Sequence, residues 1–322
     1  MQYTVAITDH IFADTDLEER LLAEAGAAVR HIDADGADEV VAGAADADAL
    51  VVTRAPVTAD VLAALPELVV VARYGAGYDN VDIDAATDRG VAVVNAPDYC
   101  VDEVATHTVA LLLACDRRLR QYDSQVRVGE WDWRAQPDVT RFGDATLGLV
   151  GFGAVGRAVA ERVRGFGVDV LACSASATDA EIREYGAEPA DLDALLDGAD
   201  YVSLHRALTD ENRYLIDAAA LSRMHEDAVL INTARGGLVD QDALVEALTA
   251  GEIAMAGLDV LDPEPPDTDD PLLALDGVVV TPHAAWYSRT AVEELKRTVA
   301  TDVARALRGE RPHNLVNPAA LE

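Results

Sequence analysis

Short apolar runs alternate with amphipathic stretches along the whole chain. Over the first hundred residues the runs are Tyr3 to Ile7, Ala49 to Val52, Leu68 to Ala72 and Val91 to Val94, with helix-like segments between them. Strand-length runs separated by helical patterns predict α/β units built on a parallel sheet. A second alternation starts at Ala145: a strand over Thr146 to Val150, a glycine turn, a helix to Arg164, a strand over Val168 to Cys173, and strands near Tyr201, Ala228, Met255 and Val278. This is a doubly wound pattern, so the chain reads as two doubly wound parallel-sheet domains.

Between the two alternations, Val101 to Arg120 reads as one long helix, opened by Asp102 and Glu103 and apolar at Val104, Val109, Leu112 and Leu113. A polar, Trp-containing connection is expected from Gln121 to Asp144. A last helix capped by Ser288 carries Val292, Leu295, Val299, Val303 and Leu307 on one face and stops at Gly309. Such a helix, arriving after the second sheet is complete, is expected to return to the first domain. The expected domains are residues 1–99 plus 289–322, and residues 100–288.

Composition narrows the class. The 322 residues are 50% hydrophobic, enough for two packed cores. Acidic residues number 58 against 25 basic ones, a formal charge of -33, dispersed through segments such as Asp14 to Glu24 and Asp179 to Glu188. A nucleic-acid partner is not expected, because phosphate backbones require a basic surface. Lys296 is the sole lysine. An acidic coat of this density self-repels in dilute buffer and is screened in brine, where the Debye length shrinks to roughly 3 Å at 1 M salt, so a halophilic, salt-rich setting of haloarchaeal type is expected. Cys100, Cys115 and Cys173 form no C-x-x-C pair and suggest neither a disulfide framework nor a metal site. Met1 to Asp9 is strand-like without a basic leader, and no apolar stretch reaches membrane-spanning length, which predicts a cytoplasmic protein with no membrane partner.

Candidate chemistry begins at Gly151-Phe152-Gly153-Ala154-Val155-Gly156, a G-x-G-x-x-G directly after an apolar strand and directly before a helix. In that context it predicts a dinucleotide site: the first glycine turns the chain, the second leaves room for a pyrophosphate, and the third lets helix and strand approach. The acidic residue that usually closes the next strand and binds the ribose is absent, and Ser174 stands in its place. Without that carboxylate nothing repels a 2′-phosphate, so NAD or NADP is expected.

Arg235, Glu264 and His283 each follow a different predicted strand, and strand C-termini in such sheets open onto the ligand crevice. The surrounding motifs, Asn232-Thr233-Ala234-Arg235-Gly236-Gly237, Gly257-Leu258-Asp259-Val260 and Pro282-His283-Ala284-Ala285, resemble the D-isomer-specific 2-hydroxyacid dehydrogenase family. The likeness runs from Gly75-Ala76-Gly77-Tyr78-Asp79-Asn80-Val81-Asp82 to Ser288. Within the family it is most similar to the C-terminal-binding-protein branch, through Ala284-Ala285-Trp286-Tyr287-Ser288 and Arg235-Gly236-Gly237-Leu238-Val239-Asp240.

The resemblance implies a flavodoxin-like substrate domain and a Rossmann dinucleotide-binding domain with a cleft between them. It implies hydride transfer between a nicotinamide cofactor and the second carbon of a small D-2-hydroxy acid or 2-keto acid. His283 is then the acid/base, Glu264 the carboxylate that holds its imidazole and favours the protonated form, and Arg235 the grip on the substrate carboxylate. Thr233, Ala234 and Asp259 are implied to line the cofactor, as are His205 and Thr209. Arg206, in the same segment and beside a departure from the family pattern at Ala207, is a candidate for a 2′-phosphate. The backbone around Tyr74, Gly75, Ala76 and Gly77 is implied to bind the carboxylate, with Arg73 as an extra cation and Trp286 packing on the substrate side chain. The family also implies a homodimer built on the Val101 to Arg120 helix.

Two other readings stay open: a dinucleotide-sensing regulatory protein of the C-terminal-binding-protein type, and phosphoglycerate dehydrogenase, with Arg54 serving a phosphate. The chain ends soon after its last predicted helix, with no room expected for the extra regulatory domain of many such enzymes. Formate dehydrogenase fits poorly, because that relative uses glutamine where Glu264 stands.

Overall fold

The computed structural model describes residues 2–34, 36–136 and 139–322. Met1 of the first expected strand-like run, and Pro137 and Asp138 of the expected connection, lie outside the described residues. The chain divides into two compact units, Met1–Cys100 with Ser288–Glu322, and Val101–Tyr287.

The first unit holds β1 (Tyr3–Ile7), β2 (Ala27–His31), β3 (Ala49–Val52), β4 (Val70–Arg73) and β5 (Ala92–Val94), all parallel, in the order β2-β1-β3-β4-β5. This is the flavodoxin-like order. Successive side chains point to opposite faces, and both faces are covered. Val5, Ile7, Val51, Val70 and Ala72 pack under Leu22 and the helix Arg289–Leu307, while Ala6, Leu50, Val52 and Val71 pack under Val40, Val61, Leu62 and Ala86. The last helix therefore belongs to this unit. Ser288 Oγ accepts from the Ala291 N–H, Leu295, Val299, Val303 and Leu307 are buried, and Gly309 ends it at φ +71. The strand β2 has no apolar run to announce it: Ala27-Ala28-Val29-Arg30-His31 is an edge strand with Arg30 and His31 turned to solvent or its margin.

The second unit holds β6 (Thr146–Val150), β7 (Asp169–Cys173), β8 (Glu188–Pro189), β9 (Tyr201–Leu204), β10 (Val229–Asn232), β11 (Met255–Leu258) and β12 (Val278–Val280). They are parallel, in the order β12-β11-β10-β9-β6-β7-β8. The order reverses at β6, which has β7 on one side and β9 on the other, and the crevice at such a switch point is where doubly wound sheets bind ligands. One face packs Leu147, Leu149 and Ile231 against Leu111, Leu112, Val159 and Val163, and the other packs Val202, Leu204 and Leu230 against Leu195, Leu221 and Leu244.

The expected single helix over Val101 to Arg120 is two helices, Val101–Asp116 and Leu119–Arg127, separated by Arg118 at φ +54. The first ends where its buried stripe ends. Cys115 and Asp116 are buried, the Asp116 carboxylate accepts from the Tyr201 hydroxyl at 2.6 Å, and nothing in Leu119–Arg127 is buried. The expected connection from Gln121 is helical through Arg127 and has short 3-10 turns at Trp133–Ala135 and Phe142–Asp144. Among the described residues no helix is long and apolar enough to cross a membrane, and no group of three or more His, Cys, Asp or Glu side chains could hold a metal ion.

Candidate active site

The glycine turn joins β6 to the helix Ala154–Val163 at the switch point. Gly151 has φ +107, and a Cβ there would lie 2.3 Å from the His205 carbonyl oxygen, so the turn closes against the loop after β9. A Cβ at Gly156 would lie 2.4 Å from the Gly151 carbonyl oxygen, which makes close helix–strand approach depend on its absence. Beside Gly153 there is open space, so the start of the helix, with its unpaired N–H groups, faces a cradle that suits a pyrophosphate.

The loop after β9 closes the back of this turn. His205 Nε2 lies 2.9 Å from the Ser203 hydroxyl, and desolvation pushes the imidazole down to about 4, so it is neutral at working pH. Asn212 Oδ1 accepts from the Thr209 N–H at 2.7 Å and shapes the following 3-10 turn. At the end of β7, Ser174 Oγ accepts from the N–H groups of Ser176 and Ala177 and so folds the loop that a ribose would meet. Burial pushes the neighbouring Cys173 thiol up, a shift that the Arg206 charge opposes and the Asp191 carboxylate reinforces.

The three charged candidates follow β10, β11 and β12, which are neighbours in the sheet. Asn232, 1% exposed, builds the first loop: its side-chain amide donates to the Arg235 carbonyl and its carbonyl accepts from the Ala234 N–H. Arg235 Nη1 donates to the Ala234 carbonyl at 2.8 Å. Gly236 lets this loop meet the next, since a Cβ there would lie 2.1 Å from the Leu261 carbonyl group. Glu264 Oε1 accepts from the Leu261 N–H at 3.1 Å, and its Oε2 lies 2.7 Å from His283 Nδ1. The sheet thus brings the Arg235, Glu264 and His283 loops together in one continuous set of contacts.

His283 has φ +52, a left-handed conformation that costs a non-glycine residue on the order of 1 kcal/mol or more and persists only when its surroundings enforce it. They do. The His283 N–H donates to the Asp259 carbonyl at 2.8 Å, and the buried Asp259 carboxylate accepts from the N–H groups of Ala284 and Ala285 and from the Thr281 hydroxyl. Trp286, half-buried, meets Tyr287 edge to face at 5.7 Å. Sequence reasoning missed two residues next to this machinery. His107 Nε2 lies 3.0 Å from the Thr281 hydroxyl, and Thr108 Oγ1 lies 2.8 Å from that of Thr233. Both project from a helix whose visible signals were its acidic first turn and its apolar stripe.

In the first unit, Arg73 ends β4 and folds over the following loop. Its Nη1 donates to the Tyr74 carbonyl at 2.8 Å, and a Cβ on Gly75, at φ +148, would lie 1.5 Å from that nitrogen. Asn95 Nδ2 donates to the Ala76 carbonyl at 2.7 Å and so fixes the loop that carries the Ala76 and Gly77 amides. Tyr74 is anchored from below: its hydroxyl donates to Glu18 Oε1 at 2.7 Å, and Lys296 Nζ lies 3.3 Å from Glu18 Oε2.

A family model for the D-isomer specific 2-hydroxyacid dehydrogenase NAD binding domain matches residues 109–285. The chain belongs to the D-isomer specific 2-hydroxyacid dehydrogenase family. It is therefore an oxidoreductase whose second unit contains the family's nicotinamide-binding domain. A glyoxylate reductase of Korarchaeum cryptofilum is 43% identical over 276 residues, 84% of this chain and 83% of that protein. A D-3-phosphoglycerate dehydrogenase of Mycobacterium bovis is 43% identical over 290 residues, 90% of this chain but 54% of the relative, so this dehydrogenase chain spans just over half of that relative's length. An acyclic imino acid reductase solved with NADPH and D-Arg has a TM-score of 0.88 at 28% identity, over 97% of this chain and 99% of that one. The names are those of dehydrogenases and reductases, and the narrower likeness to the C-terminal-binding-protein branch has no counterpart among them.

Proposed function

We propose that this family member reduces a small 2-keto acid to the D-2-hydroxy acid, and runs the reverse, with His283 as acid/base, Glu264 as its partner and Arg235 as the substrate cation. The observation that carries the reading is the 2.7 Å contact between Glu264 Oε2 and His283 Nδ1. It commits Nδ1 to the carboxylate and presents Nε2 as the nitrogen that gives a proton to, or takes one from, a substrate oxygen. Arg235, fixed through Ala234 and Asn232, is assigned to the substrate carboxylate and the polarised carbonyl. The Ala76 and Gly77 amides, with Tyr74, Gly75 and Arg73, are assigned to the same carboxylate, and Trp286 to the substrate side chain. A nicotinamide dinucleotide supplies or accepts the hydride.

Gly151, Gly153, Ala154, Val155 and Gly156 are assigned to its pyrophosphate, and Ser174, His205 and Thr209 to the walls of its adenosine half. Thr233, Ala234 and Asp259 are assigned to its nicotinamide half. Arg206 in the loop after β9, together with Ser174 at the position after β7 where the usual ribose-binding acid is missing, supports use of NADPH alongside NADH. A homodimer built on the Val101 to Arg120 segment is proposed as well; Leu119 at its end, and Val126, Val128, Trp131 and Trp133 beyond it, are exposed apolar side chains.

The 43% identity to a phosphoglycerate dehydrogenase favours a second substrate reading, a phosphorylated 2-keto acid. The test is a spectrophotometric panel of glyoxylate, pyruvate, 4-methylthio-2-oxobutanoate and phosphohydroxypyruvate, with NADH and NADPH, at molar salt. Turnover of the first three identifies a small-acid reductase, and exclusive turnover of the last identifies the alternative. His283→Ala is expected to lower kcat by at least about 10²-fold. Near wild-type turnover in that variant would remove His283 from the mechanism.

A further inference from the structure

Two consecutive side chains on the helix Val101–Asp116 reach two different strand-end loops, each landing two residues before a proposed functional residue. Thr108 meets Thr233, ahead of Arg235, and His107 meets Thr281, ahead of His283. The proton directions in the second contact are determined. The Thr281 hydroxyl has one hydrogen, and it points at Asp259 Oδ1, 2.5 Å away. Thr281 Oγ1 can therefore only accept from His107, which places a hydrogen on Nε2 of that imidazole. A relay results, from His107 Nε2–H to the Thr281 hydroxyl to the Asp259 carboxylate.

The carboxylate at the end of this relay holds the turn that carries His283. Asp259, its side chain 1% exposed, accepts the Ala284 N–H at 2.8 Å on Oδ1 and the Ala285 N–H at 2.9 Å on Oδ2. A rotation of the carboxylate would release both amides, and with them the left-handed backbone of His283. His107 Nε2 also lies 3.6 Å from Asp259 Oδ1, so the same ring fixes the hydroxyl and backs the carboxylate directly.

We propose that His107 is a positioning residue: through Thr281 it orients the Asp259 carboxylate and thereby holds His283 at the angle where Glu264 can meet its Nδ1. The proposal deepens the reading of His283 given above and rests on it. Loss of the relay displaces a reacting nitrogen without removing it, and a misplacement of about 1 Å costs on the order of 10²-fold in rate.

The experiment compares His107→Leu, His107→Gln, Thr281→Val and the His107→Leu/Thr281→Val pair, by steady-state kinetics and by long-range proton–nitrogen spectra of the imidazoles, of which the chain has seven. His107→Leu and Thr281→Val should each lower kcat by about 10- to 100-fold with little change in the keto-acid KM. The pair should be no slower than either single variant, because both break the same relay. His107→Gln, whose amide N–H can replace Nε2–H, should recover most of the rate. The His283 ring signals should move in the Leu and Val variants and stay in the Gln variant.

Unchanged kcat and unchanged His283 signals in His107→Leu would overturn the proposal, as would losses that multiply in the double variant or a Gln variant as slow as the Leu variant. Thr281→Val, which keeps the shape of the site, carries the test should His107→Leu fail to fold. If the wild type turns over no 2-keto acid, the functional reading fails while the His283 signals still decide whether the relay exists.

Discussion

Lowering the pH from 7.5 to 5 should destabilise the second unit through one half-buried imidazole, His205. Its ring is packed behind the glycine turn with the Ser203 hydroxyl as its polar contact, and desolvation brings it from 6.5 down to about 4. A base whose folded pKa lies below its unfolded one takes up its proton first in the unfolded chain, so stability present above 6.5 is lost as pH falls toward 4. At roughly 1.4 kcal/mol per pKa unit, the loss at pH 5 is about 2 kcal/mol. Carboxylates held low by partners, such as Glu181 under the Thr178 N–H, lose their contributions at lower pH and are common to any variant. The assay is urea unfolding at constant molar KCl, followed by tryptophan emission. All three tryptophans, Trp131, Trp133 and Trp286, lie in the second unit, so the signal reports the unit that contains His205. The pH-dependent loss in wild type should exceed that in His205→Gln by about 2 kcal/mol. Equal losses in the two proteins would refute the argument that desolvation holds this ring neutral.

Further outcomes follow from the same geometry. Gly156→Ala forces a Cβ to within 2.4 Å of the Gly151 carbonyl oxygen, and should cost about 1–3 kcal/mol of stability and weaken NADH binding at least about 10-fold, read by cofactor fluorescence. Arg206→Ala should raise the KM for NADPH by about 10-fold or more and leave that for NADH nearly unchanged, as loss of one charge-assisted phosphate contact predicts; equal changes for both would remove Arg206 from cofactor choice. With a formal charge of -33, the protein should gain on the order of 10 °C in Tm between about 0.1 M and 2 M KCl, as screening relieves self-repulsion. A flat or falling Tm would separate the acidic coat from salt adaptation.

The legible parts of this chain were those where the signal is local. Strands buried on both faces appear as apolar runs, so β1, β3 and β6 match their predicted ends to the residue. The edge strand β2, half solvated and mixed in composition, carried no such run, and the helix break at Arg118 lay inside a stretch whose charges suit a continuing helix. The G-x-G-x-x-G marked a dinucleotide turn because each glycine meets a steric demand set by its own neighbours in strand and helix.

Arg235, Glu264 and His283 were visible as strand-end residues in recognisable motifs, but their meeting was not. It depends on β10, β11 and β12 lying side by side, on Gly236 admitting Leu261, and on a left-handed His283 that no propensity would choose. His107 had no signal at all. On a helical wheel it is one more polar residue beside a buried stripe, and only packing of that helix against the sheet gives its imidazole a hydroxyl to hold. Sequence alone determined what can be read within one element: where the sheets run, where a pyrophosphate fits, and which residue types stand ready for acid/base work. Tertiary structure decided the relay and the catalytic pair, because a hydrogen bond between residues 19 or 174 positions apart is set by the path of the chain between them and leaves no mark on either residue's neighbours.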